Sequence, residues 1–180
     1  DNVLTKEQCD YIINRFETHK EQHEDTFYEG TRHFTEITIT KYQDTWGDVQ
    51  NLLLDKTQEY LAKYQKMFSI DELSWPKELG YEMFRMKKYE PNGKDEFSFH
   101  VDVGNYQSAR RFLVFFWYLN DVAEGGETSF QRNRNSRIEL MVKPQAGRMI
   151  TFPPMWTHPH TGHKPISGPK YIIGGYLHYL

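Results

Sequence analysis

One cysteine in 180 residues, Cys9, leaves this chain without an internal disulfide and without a cysteine-built metal site. It stands at a helix-spaced apolar position, which suits a small buried hydrophobe better than a reactive thiol. No apolar run approaches the roughly 20 residues that a membrane-spanning helix needs. No signal-peptide pattern opens the chain, although it starts at Asp1 without Met, as a chain relieved of an upstream segment would. With one cysteine and neither of those segments, the expectation is a cytoplasmic protein without membrane contact. An excess of positive charge is missing too. The chain holds 22 Lys+Arg against 25 Asp+Glu, a net charge of −3, so no broad electrostatic grip on nucleic acid is expected. No internal repeat, low-complexity tract or linker divides the sequence.

What is present is core-forming material. Apolar residues make up 38% and aromatics 16%, ample for a chain of this length to bury roughly 70% of its unfolded surface. The expectation is one domain over residues 1–180, with 1–80 a helical support region carrying one strand and 81–180 the β core. Thr5 and Gln8 form a capping-box pair, and Cys9, Ile12, Ile13 and Phe16 follow as one helical stripe. Residues 18–31 are polar and read as a loop. Ile37 and Ile39 alternate with threonines, so 36–42 reads as a half-buried strand. Residues 44–68 carry Trp46, Val49, Leu53, Leu61 and Tyr64, a long second helix. From Tyr81 on, short strands are separated by turns, Pro91-Asn92-Gly93 among them. Residues 111–119 are almost wholly apolar, as in a strand covered on both faces. About eight strands after two helices, with no helix between strands, argue against a parallel sheet. They predict an α+β chain, mainly β with flanking helices, built on an antiparallel double-stranded β-helix, or jelly-roll barrel.

The chemistry lies in Phe97-Ser98-Phe99-His100-Val101-Asp102. Side chains alternate along an extended segment, so His100 and Asp102 point the same way. With one more imidazole they make the two-His-one-carboxylate triad that binds Fe(II) and leaves positions open for substrate and oxygen. His-x-Asp alone is a weak signal and usually a solvated polar pair. Inward-facing charges, however, are costly unless paired or metal-bound. The cluster His158, His160, His163 that follows the strand ending Phe152-Pro153 offers a third imidazole, whereas His178 reads as an ordinary polar residue. His19, His23 and His33 share no face and read as surface groups. Lys170 opens the last strand, with Ile172, Gly174 and Tyr176 on its face. A lysine there either snorkels to the rim or binds an anion, such as the far carboxylate of a metal-chelating dicarboxylate.

Six blocks appear in order: Lys88-Tyr89-Glu90-Pro91; His100-Val101-Asp102; the run from Arg111-Phe112-Leu113 to Leu119-Asn120-Asp121; Glu124-Gly125-Gly126-Glu127-Thr128-Ser129-Phe130; Val142-Lys143-Pro144-Gln145-Ala146-Gly147-Arg148; and Gly168-Pro169-Lys170-Tyr171. In these the chain resembles the 2-oxoglutarate- and Fe(II)-dependent dioxygenases of the prolyl 4-hydroxylase type. The resemblance implies that His100, Asp102 and a later histidine bind Fe(II), and that Lys170 pairs with the distal carboxylate of 2-oxoglutarate. It places Tyr89 and Tyr118 in the cosubstrate pocket, with plain core packing as the other reading. His158 has the family's distance from Phe152, whereas His160 has the family's distance to Gly168 and Lys170. Because lysine and third ligand grip one small molecule, His160 is preferred and His158 is the alternative. Tyr176 stands where many relatives carry Trp.

The activity implied is hydroxylation of an unactivated C–H with O2, releasing succinate and CO2, with ascorbate as a supporting reductant. The preferred substrate is a prolyl residue in a peptide or protein, with no nucleic-acid partner. Candidate substrate contacts are Trp156 and the loops 18–31, 104–109 and 131–136, the last with Arg132, Arg134 and neighbouring Arg137, a cluster that suggests acidic groups on the substrate; for the arginines, a solvated charged loop is the bland reading. Two alternatives remain at this point: hydroxylation of another side chain or of a free amino acid, and a non-catalytic jelly-roll binding module.

Overall fold

The computed structural model describes all 180 residues, Asp1–Leu180. α1 (Lys6–Thr18) starts where its local chemistry starts it. The Thr5 hydroxyl accepts from the Gln8 amide at 3.2 Å, and the Gln8 side chain accepts from the Thr5 amide at 2.9 Å. Such a cap contributes about 1 kcal/mol. The helix buries Cys9, Ile12 and Phe16, and α2 (Gln43–Met67) buries Trp46, Val49, Leu53, Thr57 and Leu61. The buried indole of Trp46 is satisfied by donating to Gln22 Oε1 at 2.7 Å.

Eleven strands complete the chain: β1 (Glu24–Tyr28), β2 (Arg32–Thr38), β3 (Leu79–Tyr81), β4 (Arg85–Tyr89), β5 (Glu96–His100), β6 (Arg111–Tyr118), β7 (Thr128–Phe130), β8 (Leu140–Val142), β9 (Met149–Phe152), β10 (His160–Gly162) and β11 (Lys170–Tyr179). All pairings are antiparallel. The order is β8-β7-β10-β5-β2-β4-β11-β6-β9, with β1 beside β2 and β3 beside β11. This sheet curls into a half-barrel of the jelly-roll type, with the two helices on its outer face.

The period-two alternation of β6 and β11 sorts their side chains between two interiors. Leu113, Phe115, Trp117, Tyr171, Ile173 and Leu177 join the α1 and α2 stripes in one core. Val114, Phe116, Tyr118, Lys170, Ile172 and Tyr176 face a cavity inside the curl. An all-apolar β6 therefore follows from burial on both faces. At Gly174 the two strands come so close that a Cβ would lie 2.2 Å from the Phe115 carbonyl oxygen.

Several expectations need correction. Residues 18–31 are not a loop: α1 runs to Thr18, a 3-10 turn spans Lys20–Gln22, and β1 follows as an edge strand. β1 is exposed on both faces at most positions, so it has no apolar alternation to announce it. The strand expected over 36–42 lies upstream as β2, and Ile39–Lys41 form a 3-10 turn in which Ile39 stays buried. The first 80 residues thus give two full strands rather than one. Because β2 sits mid-sheet between β5 and β4, the division at residue 80 into support and core does not hold. The strand count is eleven rather than eight, with three-residue strands such as β10 accounting for part of the difference.

Candidate active site

β5 ends at His100 and the chain bends, so Asp102 lies just past the strand rather than within it. The bend is fixed by the amides of Asp102 and Val103, which both donate to the Pro154 carbonyl at 3.1 Å. β10 then pairs with β5 so that His160 falls directly opposite His100. Cross-strand partners share a face, which is how two histidines sixty positions apart bring their rings to 4.2 Å between centroids. His100 Nε2 lies 3.7 Å from Asp102 Oδ1, and His160 Nε2 lies 3.7 Å from Asp102 Oδ2. One ligand atom from each residue falls within 4.8 Å of the others.

Each imidazole is aimed by its other nitrogen. His100 Nδ1 donates to the Ser98 carbonyl at 2.7 Å, and His160 Nδ1 donates to the His158 carbonyl at 3.1 Å. With Nδ1 carrying the proton, each Nε2 presents a lone pair to the site. Phe97 stacks on the His100 ring at 3.5 Å and 7°, fixing its plane. Burial alone would push the Asp102 carboxyl up, but the two imidazoles and the Tyr176 hydroxyl outweigh it and hold the group at about 2. Burial pushes His160 down to about 4. Asp102 is therefore a carboxylate and His160 a neutral imidazole, the forms in which these groups ligate a metal. His100 Nε2 and Asp102 Oδ2 are buried without any hydrogen-bond partner, and a cation among the three residues would satisfy both.

Lys170 lines the same cavity, of about 500 Å³. It is buried, and its Nζ donates to the Gly126 and His163 carbonyls at 3.1 and 3.0 Å while standing 4.3 Å over the Tyr89 ring. Burial brings its ammonium down to about 7. Tyr89, Tyr118 and Phe116 line the same cavity; the Tyr118 hydroxyl donates to Thr128 Oγ1 at 2.6 Å. The lining combines the triad and the cations Lys170 and Lys87 with apolar Val114, Phe116, Phe152 and Ile172, which suits a small anionic ligand.

Other expected residues lie elsewhere. His158 Nδ1 meets Thr157 Oγ1 at 2.8 Å and stands outside the triad cavity. Arg132 is exposed and paired with Glu139, Arg134 stands 5.5 Å from the Phe99 ring, and Trp156 is exposed; none of the three lines the cavity. Sequence reasoning missed the role of Tyr176. Its hydroxyl donates to Asp102 Oδ1 at 2.7 Å, and Arg111, bound to Glu82 through two 2.8 Å contacts, stacks over its ring at 3.9 Å. The signal was the phenol at a position expected to hold an indole: only the phenol puts an oxygen there.

Residues 84–178 match the family model described as the 2OG-Fe(II) oxygenase superfamily. A probable prolyl 4-hydroxylase 9 of Arabidopsis thaliana is 30% identical, aligned over 84% of this chain and 55% of its own length. The chain thus spans about half of that curated relative. Among solved structures, a viral collagen prolyl hydroxylase of Paramecium Bursaria Chlorella virus-1, in complex with 2OG, superposes with a TM-score of 0.69 at 20% identity, covering 100% of this chain and 94% of that one. A Trichoplax adhaerens prolyl hydroxylase, in complex with a hypoxia inducible factor oxygen degradation domain peptide fragment, reaches 0.77 at 14% identity, covering 99% and 81%. At those identities the two structures bear on the fold alone, and they share it.

Proposed function

The chain belongs to the 2OG-Fe(II) oxygenase superfamily, whose members use Fe(II), 2-oxoglutarate and O2, and from that premise we propose that residues 1–180 act as one domain hydroxylating a prolyl residue of a peptide or protein. The observation that carries this reading is the pair of buried, unpartnered donors, His100 Nε2 and Asp102 Oδ2, beside His160 in a cavity that also holds Lys170. Leaving such groups unsatisfied costs about 1–3 kcal/mol each, and a bound cation offsets that cost. The donor set of two imidazoles and one carboxylate suits Fe(II). His100, Asp102 and His160 would hold the ion, Lys170 would take the far carboxylate of 2-oxoglutarate, and Tyr89 and Tyr118 would form the walls. When bound, the iron and cosubstrate supply the oxidation, coupling decarboxylation to insertion of oxygen into a C–H bond.

The chain's own share is placement and charge. The Nδ1 bonds fix both imidazole tautomers, and Tyr176 holds Oδ1 of Asp102, leaving Oδ2 unbonded on the side of His160. Lys170 supplies positive charge at the far end of the cavity, where water is excluded and a charge-assisted contact is strong. A peptide substrate is supported by the prolyl hydroxylases among the relatives, one of them holding a peptide.

The test is to incubate the iron-loaded protein with 2-oxoglutarate and proline-containing peptides, following succinate and the peptide mass. Succinate and a peptide heavier by one oxygen are expected. His160→Ala should lose metal affinity by more than about a hundredfold and form no succinate, whereas His158→Ala should keep both. Retention of metal by His160→Ala with loss in His158→Ala would reverse the ligand assignment, and absence of oxygen gain in any proline peptide would sink the substrate.

A further inference from the structure

Beside the triad the surface opens into a polar cleft of about 1240 Å³, and Asp102 lines both this cleft and the cavity. Its charge is out of character with the chain. Arg32, Arg85, Arg110 and Arg111 all face it, in a protein whose net charge is −3. The acids on its wall are Glu82 and Asp102. Glu82 is committed to Arg111 through two contacts of 2.8 Å, and Asp102 to the imidazoles and Tyr176. Arg32, Arg85 and Arg110 make no ion pair and no side-chain hydrogen bond to any residue, although Arg32 and Arg85 are half-buried. Arg32 is held 4.2 Å over the Tyr28 ring, and Lys87, whose ammonium burial brings down to about 8, feels both Arg32 and Arg85. Two acids share a second pocket with Arg32 and Arg85: Glu36 on β2, which accepts from Thr26 at 2.6 Å, and Glu24 on β1, paired with Lys41 at 3.2 Å.

Partly buried guanidinium groups without partners, grouped at the mouth of a site, are arranged to receive carboxylates: the guanidinium fork matches a carboxylate in two parallel bonds. We propose that this cleft selects peptides carrying Asp or Glu beside the residue to be hydroxylated, with Arg32, Arg85 and Arg110 as the residues that read the acid. The inference deepens the oxygenase reading above and rests on it for the identity of the neighbouring site. It also moves the acid-reading role away from Arg132, which is already paired with Glu139 at 2.8 Å. A peptide fits this cleft better than a nucleic acid does, because the cationic patch is local and the chain as a whole repels polyanions.

The test measures binding and turnover separately. A fluorescein-labelled proline peptide flanked by aspartates and its asparagine isostere are titrated against wild-type protein loaded with Mn(II) and 2-oxoglutarate. The aspartate peptide should bind at least about tenfold tighter, the scale of one charge-assisted contact. That preference should collapse in about 1 M salt, where the screening length is about 3 Å, and should shrink severalfold in Arg85→Gln and in the exposed-site variant Arg110→Gln. Equal affinity for the two peptides, failure of both to bind, a preference indifferent to salt, or tighter binding of a single-stranded oligothymidine overturns the proposal. The salt series uses wild-type protein alone, so it decides even if Arg85→Gln does not fold. Succinate formed equally with either peptide would overturn the acid preference while leaving the oxygenase reading intact; charge-selective binding without succinate would do the reverse.

Discussion

If Lys170 is the anchor for the cosubstrate's far carboxylate, affinity for 2-oxoglutarate must depend on pH in a way a surface lysine would not show. Burial lowers its ammonium to about 7, against the ordinary 10.5, with Glu127 opposing the shift and Lys87 adding to it. An ammonium with that value is about nine-tenths charged near pH 6 and about one-tenth charged near pH 8, and apparent affinity scales with the competent fraction. Kd for 2-oxoglutarate should therefore rise about tenfold across that interval, and binding near pH 8 should take up close to one proton. The cosubstrate's carboxylates stay ionised throughout. Calorimetry of the Mn(II)-loaded protein in two buffers of different ionisation enthalpy measures affinity and proton uptake together. Lys170→Met should bind weakly at every pH with no uptake. Linkage gives the stability of the ligand-free protein the opposite trend. Between about pH 7 and 10.5 the unfolded chain keeps a proton that the folded chain has given up, so stability rises with pH in that window. A wild-type Kd that is flat from about pH 6 to 8, without proton uptake, would refute the anchor.

Two further outcomes follow from single contacts. Tyr176→Phe removes the 2.7 Å bond to Asp102 Oδ1, and a lost partner of that kind weakens metal binding by about 10–100-fold; a Co(II) titration read by its absorption bands checks this, and an unchanged affinity would remove Tyr176 from the site. Gly174→Ala would place a methyl 2.2 Å from the Phe115 carbonyl oxygen and 2.5 Å from Phe116 Cβ, forcing β11 and β6 apart at a cost of about 2–4 kcal/mol. Gly168→Ala, with open space around it, should be close to neutral, and urea unfolding of the two variants separates them.

How much of this was legible in the residues divides along the range of the interactions. Local chemistry was enough for α1, where Thr5 and Gln8 close a capping box, for α2, and for β11, which opens at Lys170 as its alternation suggests. β1 escaped notice because an edge strand exposed on both faces carries no period-two pattern, and its polar residues are stable as a strand only because β2 supplies the hydrogen bonds. Likewise β2 was displaced, since Ile39 is buried from a 3-10 turn and mimics a strand position.

The sequence by itself determined the donor inventory: the His100-x-Asp102 pair, a histidine cluster and a lysine opening an alternating strand, all recognisable from residue type and spacing. Spacing to Lys170 already favoured His160 over His158, but only the register of β10 on β5 shows His160 opposite His100. Tertiary structure also decided that Tyr176 reaches Asp102 across 74 positions and that three arginines from different strands and loops converge on one cleft. Spacing along a chain fixes which face a side chain takes within its own strand; which faces meet is fixed by the curl of the sheet, and that is a property of all the strands together.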